Sequence, residues 1–177
     1  ISEQKITVTY NGVADSFIHT QGREKEKTNI MSKYGIYNPY VLSVGNLQPR
    51  KNLKRLVRAY SQLCERIQTD VCLVIVGKKA WMVDDLFAEI DTSFIKERII
   101  LTDYVDETDL TLLYQNALFF IYPSYFEGFG IPVLEALYSG TAVATSNCSS
   151  LPEVVGDAGV LFNPYNIDDI CGKMITL

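Results

Sequence analysis

The sequence is poor in the residues that build metal and disulfide sites. It has one histidine, His19, and its four cysteines form neither a C-x-x-C pair nor a zinc-finger spacing. A metal site made of several histidines is therefore excluded within this chain. Cysteines scattered in this way are typical of reduced, buried thiols in a cytosolic protein.

Long apolar runs and an excess of positive charge are also missing. No stretch of about 18 apolar residues is present and no signal peptide opens the chain, so we expect a cytoplasmic protein without a membrane span. Lysine and arginine number 16 against 21 aspartates and glutamates, which gives a net charge of −5. Proteins that bind nucleic acid are usually basic, and nucleic acid is therefore not an expected partner.

Two glycine-rich phosphate motifs are absent as well. The sequence contains neither G-x-G-x-x-G nor G-x-x-x-x-G-K-[ST]. The main sequence support for NAD binding and for P-loop NTPase chemistry is therefore missing. No D-x-D motif stands in a suitable turn, so nothing in the sequence argues for a divalent metal.

What the sequence does contain is an alternation of short apolar runs and amphipathic segments. Its 177 residues, 47% of them hydrophobic and 21% charged, have the composition of one globular domain. The apolar runs predict strands at 40–45, 71–77, 98–104, 118–124, 141–146 and 159–163. Apolar residues at helical spacing predict helices at 53–67, 83–90, 106–117 and 131–140, and a last one from Ile167. The polar stretch 20–29 is expected to be a helix or a loop.

This alternation predicts a Rossmann-like, doubly wound α/β domain. Continuously apolar strands separated by helices indicate a parallel sheet that is covered on both faces. Ligands of such sheets bind beyond the carboxyl ends of the strands, where turns lead into helices. Three turns are therefore candidates for the chemistry: 45–52, 77–81 and 123–132.

The turn at 123–132 has the composition of an anion site. Pro132 suits the first position of a helix, where its missing N–H costs nothing. Gly128 and Gly130 precede it, where the backbone can approach a ligand or adopt a positive φ. The free N–H groups of Gly130 and Ile131, together with the helix dipole, would attract an anion. Aromatic residues near this turn, Tyr122 among them, are expected to pack rather than to bind.

Charged residues at two of the turns indicate a nucleotide sugar. Glu127 lies on the far side of the glycines, and Glu135 is expected in the first helical turn, where it would also stabilise the helix end. Two carboxylates would repel a phosphate unless they bind something else, and sugar hydroxyls can donate hydrogen bonds to them. Arg50 and Lys51, in the turn at 45–52, suit a diphosphate because both make charge-assisted hydrogen bonds.

The ordered set of these motifs resembles the carboxyl-terminal domain of retaining glycosyltransferases of family 4, the glycosyl transferases group 1. The resemblance runs from about Tyr10 to Pro164 and rests on the stretches 10–17, 44–60, 73–77, 101–117 and 123–159. Glu127 and Glu135 match the two ends of the family's E-x7-E motif. The resemblance implies the carboxyl-terminal half of a GT-B fold, with residues 1–177 forming one nucleotide-sugar-binding domain of a longer two-domain enzyme.

The resemblance also implies a role for each matching residue. Glu127 would contact the donor sugar near its reacting face, and Arg50 and Lys51 would neutralise the departing diphosphate; these three are the implied catalytic residues. The residues implied to bind the donor are Gly45, Asn46, Val105, Gly128, Phe129, Gly130, Ile131 and Glu135.

Within the implied donor site, each part of a nucleotide sugar has its place. Glu135 would bind the ribose hydroxyls, and the amides of 129–131 would hold sugar and phosphate oxygens. The backbone at 104–105 would receive the base. Asn46 departs from the family pattern, because many members carry arginine there, and Arg50 would supply the missing positive charge.

The implied activity is the transfer of a hexose from a nucleotide-diphospho-sugar. The P-R-K-N version of the first turn, at 49–52, resembles bacterial and archaeal mannosyltransferases of polysaccharide assembly, which favours GDP-mannose as the donor. The sugar would pass with retention to a saccharide or lipid-linked acceptor, without a metal or other cofactor. The acceptor site and a catalytic histidine would lie on a missing amino-terminal domain, so the isolated domain should transfer no sugar. Peripheral association of the parent with the inner membrane face is compatible with this expectation.

Three other functions stay open on the sequence. The first is a nucleotide-sugar epimerase of the same architecture, which the E-x7-E turn and its P-R-K partner argue against. The second is a non-catalytic nucleotide-sugar binding module. The third is a glycoside hydrolase that uses Glu127 and Glu135 as its acid and nucleophile, although a hydrolase has no use for a diphosphate-binding turn.

Overall fold

Six parallel strands form the centre of the structure, a computed structural model that describes residues 2–18 and 24–177. The strands are β1 (Tyr40–Val44), β2 (Cys72–Val76), β3 (Ile99–Leu101), β4 (Phe119–Tyr122), β5 (Val143–Ser146) and β6 (Val160–Phe162). They are ordered β3-β2-β1-β4-β5-β6, and every neighbouring pair is parallel. That order is typical of dinucleotide-binding Rossmann folds, and it confirms the predicted doubly wound sheet.

Helices cover the sheet on both sides. In the part of the chain that the structure describes, they are α1 (Glu24–Lys33), α2 (Leu53–Ile67), α3 (Asp84–Thr92), α4 (Glu107–Asn116), α5 (Ile131–Tyr138), α6 (Leu151–Val155) and α7 (Ile167–Thr176). Helix α2 forms where apolar residues recur at three- and four-residue steps, and its buried residues include Leu53, Leu56, Val57, Tyr60, Leu63 and Cys64. None of the described helices has the length and apolar composition that crossing a membrane requires.

The core consists of two apolar layers, one on each face of the sheet. One layer includes residues of α2, α3 and α7, and the other includes residues of α1, α4, α5 and α6. Successive side chains of β2 alternate between them: Leu73 and Ile75 join the first layer, and Cys72 and Val74 join the second. Because both faces are covered, β2 is buried along its whole length, which explains its continuously apolar sequence.

The strand order places two of the three candidate turns side by side. From β1 the chain moves outward through β2 and β3, and it then returns to β4 on the other side of β1. Val41 and Leu42 of β1 pair with Phe119 and Phe120 of β4. The turns that follow these two strands therefore meet at the carboxyl edge of the sheet, where the strand order reverses and where ligands of such folds bind.

Two strand and helix predictions were incomplete. Strand β3 covers three residues rather than the predicted 98–104, because Asp103 has a φ of 60° and turns the chain out of the extended conformation. Helix α6 was not predicted, since its five residues are too short to show a helical period. The predicted stretch 20–29 is helical from Glu24 onward as part of α1, and residues 19–23, with His19, lie outside the described residues.

The position of Glu135 was also predicted wrongly. Helix α5 begins at Ile131, so Glu135 is its fifth residue and lies beyond the first turn. The favourable interaction with the helix dipole acts within that first turn, and it therefore does not explain this glutamate.

Candidate functional site

The turn after β1 contains Gly45, and the side chain of Lys51 passes over this glycine. Gly45 has a φ of 145°, and its N–H donates to the carbonyl of Val76 at 2.8 Å. A Cβ atom at Gly45 would lie 3.1 Å from Cε of Lys51, whose stem passes over the glycine. The backbone conformation thus favours glycine, and a side chain at this position would also crowd the lysine stem. The turn then tightens into a 3-10 turn at Pro49–Lys51 that leads into α2.

Asn52 fastens this turn to the rest of the carboxyl edge. The residue is buried and adopts the left-handed conformation, with a φ of 56°. Its side-chain amide donates to the carbonyl of Pro123 at 3.0 Å and to that of Pro164 at 2.8 Å. Pro123 directly follows β4, so the asparagine holds the two candidate turns together. Sequence reasoning missed this role, although Asn is among the few residues that tolerate a positive φ.

Glu127 lies at the centre of a largely buried cluster of charges. Its carboxylate forms an ion pair with Arg50 at 2.6 Å and accepts a hydrogen bond from Lys51 at 2.8 Å. Tyr122, at the end of β4, donates its hydroxyl to the same carboxylate at 3.0 Å and accepts a hydrogen bond from the Lys51 ammonium. The side chains of Lys51 and Glu127 are each only 10% exposed, so this ion pair is largely removed from water.

The environment of the cluster lowers the pKa of Glu127, which keeps this carboxylate ionised, and it also lowers the pKa of Lys51. Burial alone would raise the pKa of Glu127, but the hydrogen bonds from Arg50 and Lys51 outweigh it, and the pKa lies below its usual value. Burial lowers the pKa of Lys51, Glu127 offsets part of that fall, and the nearby Arg50 charge adds to it. The site thus holds two cations against one carboxylate, which leaves room for a further negative charge.

The conformation of the turn after β4 is fixed by a glycine and by Ser150, the residue that precedes α6. Gly130 has a φ of 111°, and a Cβ atom there would lie 2.7 Å from the side chain of Leu151. The Ser150 hydroxyl lies 3.0 Å from the carbonyl oxygen of Glu127 and 2.6 Å from that of Phe129. These contacts fix the backbone on both sides of the turn.

Gly128 and Gly130, the two glycines of this turn, occupy their positions for different structural reasons. A Cβ atom at Gly128 would meet nothing within 4 Å, and Gly128 is not among the residues with a positive φ. Gly130 therefore shapes the turn, whereas Gly128 only leaves space beside it. Because Ile131 begins α5, its N–H has no partner within the helix. The N–H groups at such a helix end can donate hydrogen bonds to a bound anion.

Glu135 has a different environment from Glu127. Its carboxylate accepts a hydrogen bond at 2.9 Å from the hydroxyl of Tyr114, a fully buried residue of α4. Burial raises the pKa of Glu135, and the Tyr114 hydrogen bond offsets part of that rise. The rings of Tyr114, Phe120 and Tyr122 form a line of contacts, with centroids 5.3 Å and 5.7 Å apart. A tyrosine at each end of this line contacts one of the two glutamates.

The third candidate turn closes the site on the side of β2. Gly77 has a φ of 151°, and a Cβ atom there would lie 2.2 Å from the carbonyl oxygen of Gly45. Its N–H donates to the backbone carbonyl of Asp103 at 2.9 Å, so the turns after β1, β2 and β3 are in contact. Val105, whose backbone is predicted to receive the base of the donor nucleotide, is buried, and the neighbouring Tyr104 is exposed.

The structure thus brings together most of the residues predicted for the site. Arg50, Lys51 and Glu127 are in direct contact, and the glycine turn at 128–130 adjoins them. Asn46 is exposed on the rim of the β1 turn. Among the described residues, no group of three or more histidine, cysteine, aspartate or glutamate side chains could hold a metal ion.

A cleft of about 630 Å³ opens beside the buried charge cluster, between the amino-terminal ends of α2 and α3. Its walls include Gln48, Arg55, Arg58, Met82, Asp85 and Tyr125. Neither Glu127 nor Glu135 lines it. The carboxyl edge between β1 and β4 is the better candidate site, because there the buried charges and the free helix-end amide converge.

Comparison with known proteins agrees with this geometry. The family model described as "Glycosyl transferases group 1" matches residues 26–177. O-antigen chain mannosyltransferase B of Escherichia coli is 37% identical over 147 residues, which cover 82% of this chain and 39% of that protein. The chain thus spans well under two thirds of the length of this relative.

Solved structures show the same fold. A glycosyltransferase of Rickettsia africae superposes with a TM-score of 0.89 at 22% identity, over 99% of this chain and 48% of that one. The Anabaena protein HepE, solved with UDP and glucose, gives a TM-score of 0.81 at 21% identity, over 96% of this chain and 46% of that one. At these identities the likeness concerns the fold, while the family match covers most of the sequence. The chain therefore belongs to the family of glycosyl transferases group 1.

Proposed function

We propose that this chain is the donor-binding, carboxyl-terminal half of a retaining glycosyltransferase of family 4 with a GT-B architecture. Its ligand would be a nucleotide-diphospho-sugar, with GDP-mannose as the preferred donor. The observation that carries the proposal is the pair of cations, Arg50 and Lys51, which share the single carboxylate of Glu127 beside the amino-terminal end of α5. A diphosphate fits that excess of positive charge.

Each part of the donor has a matching group. The diphosphate would lie against Arg50 and Lys51, and the free amide at the start of α5 would receive one of its oxygens. Glu127, ionised and at the centre of the cluster, would accept hydrogen bonds from sugar hydroxyls. Glu135, held by Tyr114, would accept hydrogen bonds from the ribose, and the backbone beside the exposed Tyr104 would adjoin the base.

The same groups would promote transfer. Glycosyl transfer passes through an oxocarbenium-like transition state while negative charge grows on the departing nucleoside diphosphate. Arg50 and Lys51 would stabilise that growing charge, and they are already oriented by Glu127, so little reorganisation is needed. When the diphosphate arrives it would replace Glu127 as their partner, which would release this carboxylate to the donor sugar.

The preferred sugar and the second domain are supported by the relatives. The 37% identical relative is named a mannosyltransferase of the O-antigen chain, which supports mannose and polysaccharide assembly. This chain matches 39% of that relative, which supports a parent enzyme with a further domain that carries the acceptor site. We therefore expect the chain alone to bind the donor and to transfer no sugar. We also propose that the enzyme is cytoplasmic and works without a metal.

One observation favours a second function. The pKa of Glu135 is raised while that of Glu127 is lowered, and opposed shifts of two carboxyl groups are typical of the acid and nucleophile of a glycoside hydrolase. Hydrolysis of p-nitrophenyl mannoside by this chain would support that reading. A nucleotide-sugar epimerase would instead convert the sugar without transfer, and analysis of the products would reveal it.

Calorimetric titration of the chain with GDP, UDP, ADP and their sugars, without added metal, tests the proposal. Binding with a clear preference for one base is expected, and Lys51→Met and Glu135→Ala should abolish it. Lys54→Met and Glu89→Ala are matched controls, because both residues lie in ion pairs on the helical surface away from Glu127. Equal loss in the controls, or no binding of any nucleotide by the wild-type chain, would contradict the proposal.

A further inference from the structure

Tyr122 is a buried polar side chain of the site whose ring and backbone are both held by the sheet. It is 1% exposed, and its ring stacks on Phe120 with centroids 5.7 Å apart. Its backbone is paired with Thr145 of β5, whose hydroxyl donates to the Tyr122 carbonyl at 3.1 Å. The sheet thus sets the position of the tyrosine hydroxyl before any ligand arrives.

The two charged residues that contact this hydroxyl lie on less constrained backbone. Lys51 ends a short 3-10 turn and reaches its partners through a flexible four-carbon stem. Glu127 lies in the glycine turn that precedes α5. Both are hydrogen-bonded to the Tyr122 hydroxyl, and the Lys51 ammonium also lies 4.7 Å from the centre of the Tyr122 ring.

We propose that Tyr122 is a positioning residue of the donor site. Its hydroxyl orients the Lys51 ammonium toward the diphosphate and holds that orientation when the Glu127 carboxylate turns to the donor sugar. The inference deepens the proposed function and rests on it for the identity of the ligand. An ammonium group has three N–H donors, and the hydrogen bonds described here use two of them, to Tyr122 and to Glu127. The third donor is available to a phosphate oxygen.

The protonation of these groups supports the assignment. Burial raises the pKa of Tyr122, so its hydroxyl stays protonated and can accept from Lys51 while donating to Glu127. The charged groups that face Lys51 are Glu127, which favours its charged form, and Arg50, which disfavours it. Removing the Tyr122 oxygen takes one acceptor from a largely buried ammonium, and the pKa of Lys51 should fall further.

Tyr122→Phe tests the inference, because it keeps the ring, its stacking and its contact with the ammonium. The matched control is Tyr40→Phe. Tyr40 is also buried, and its hydroxyl donates one hydrogen bond, to Leu113 at 2.7 Å, from the opposite end of β1. Two quantities are measured in each variant: the pKa of Lys51, by NMR titration of lysine side chains assigned with Lys51→Met, and the affinity for GDP across pH.

We expect Tyr122→Phe to lower the pKa of Lys51, to weaken GDP binding about tenfold at neutral pH, and to move the alkaline loss of binding to lower pH. Tyr40→Phe should change none of these. An unchanged Lys51 pKa in Tyr122→Phe, or the same changes in both variants, would overturn the inference. If the wild-type chain binds no nucleotide, the proposed function fails, while the Lys51 pKa still decides whether Tyr122 positions the lysine.

Discussion

Replacing Glu127 by glutamine should destabilise the folded chain and at the same time tighten its binding of a diphosphate. The carboxylate is the shared partner of Arg50 and Lys51. Its removal leaves a lysine whose side chain is 10% exposed without a counter-charge, and an uncompensated buried charge is costly. The same change frees both cations for another anion.

The size of the effect follows from how exposed each pair is. Arg50 is 38% exposed, so water screens its pairing and its share is below about 1 kcal/mol. The hydrogen bond to Lys51 is largely buried, and bonds to charged groups contribute roughly 1.5–3 kcal/mol. Glutamine still offers a carbonyl oxygen to Lys51. We therefore expect the free energy of unfolding to fall by about 2 kcal/mol.

Urea unfolding of Glu127→Gln, with and without inorganic pyrophosphate, measures both effects. The matched control is Glu89→Gln, which removes the charge from a 2.7 Å pair with the half-exposed Arg58 on the surface. That change should cost less than about 1 kcal/mol and leave pyrophosphate binding as it was. Equal losses of stability in the two variants would refute the reasoning, as would weaker pyrophosphate binding by Glu127→Gln.

Three further predictions concern other parts of the site. Because the pKa of Glu135 is raised above 4.5, the folded chain binds more protons than the unfolded chain just above that pH. The free energy of unfolding should therefore fall as the pH rises through this window. Glu135→Gln should remove that part of the pH dependence, which urea unfolding at a series of pH values measures. Gly77→Ala should destabilise the chain by about 3 kcal/mol or more in thermal unfolding, because its Cβ would lie 2.2 Å from the carbonyl oxygen of Gly45. Asn52→Ala should cost about 2–3 kcal/mol in urea unfolding, since two buried carbonyls lose their donor and alanine tolerates the left-handed conformation poorly.

Each of these predictions has a result that contradicts it. An unchanged pH slope in Glu135→Gln would show that this carboxyl titrates normally. Gly128→Ala is the control for Gly77→Ala, since its Cβ would meet nothing within 4 Å, and similar losses in both would mean that the close approach to Gly45 is unimportant. For Asn52→Ala, wild-type stability would show that the link between the two turns contributes little.

The fold could be predicted because its signals are local. Five buried residues in a row at β2 and the helical spacing of α2 are each visible in the sequence, and a parallel sheet follows from their alternation. The carboxyl edge could be predicted as the site for the same reason. Helix α6 was missed because its length hides any period, and the end of β3 depends on one residue, Asp103, in the left-handed conformation.

The contacts within the site could be predicted only in part. The types of the charged residues at the turns, Arg50, Lys51 and Glu127, are visible in the sequence. Their pairing with one another depends on the adjacency of β1 and β4, which brings together residues more than 70 positions apart. The hydrogen bonds of the Tyr122 hydroxyl and the Asn52 amide were missed for a similar reason, because a hydrogen bond from a buried side chain leaves no periodic signal.

A crystal structure of this chain with GDP would test the account most directly. The account predicts the β-phosphate between Arg50 and Lys51, with the ribose hydroxyls on Glu135 and the Glu127 carboxylate turned away from at least one of its two cations. A nucleotide bound instead in the cleft lined by Arg55 and Arg58, with the pairing of Glu127 unchanged, would contradict it.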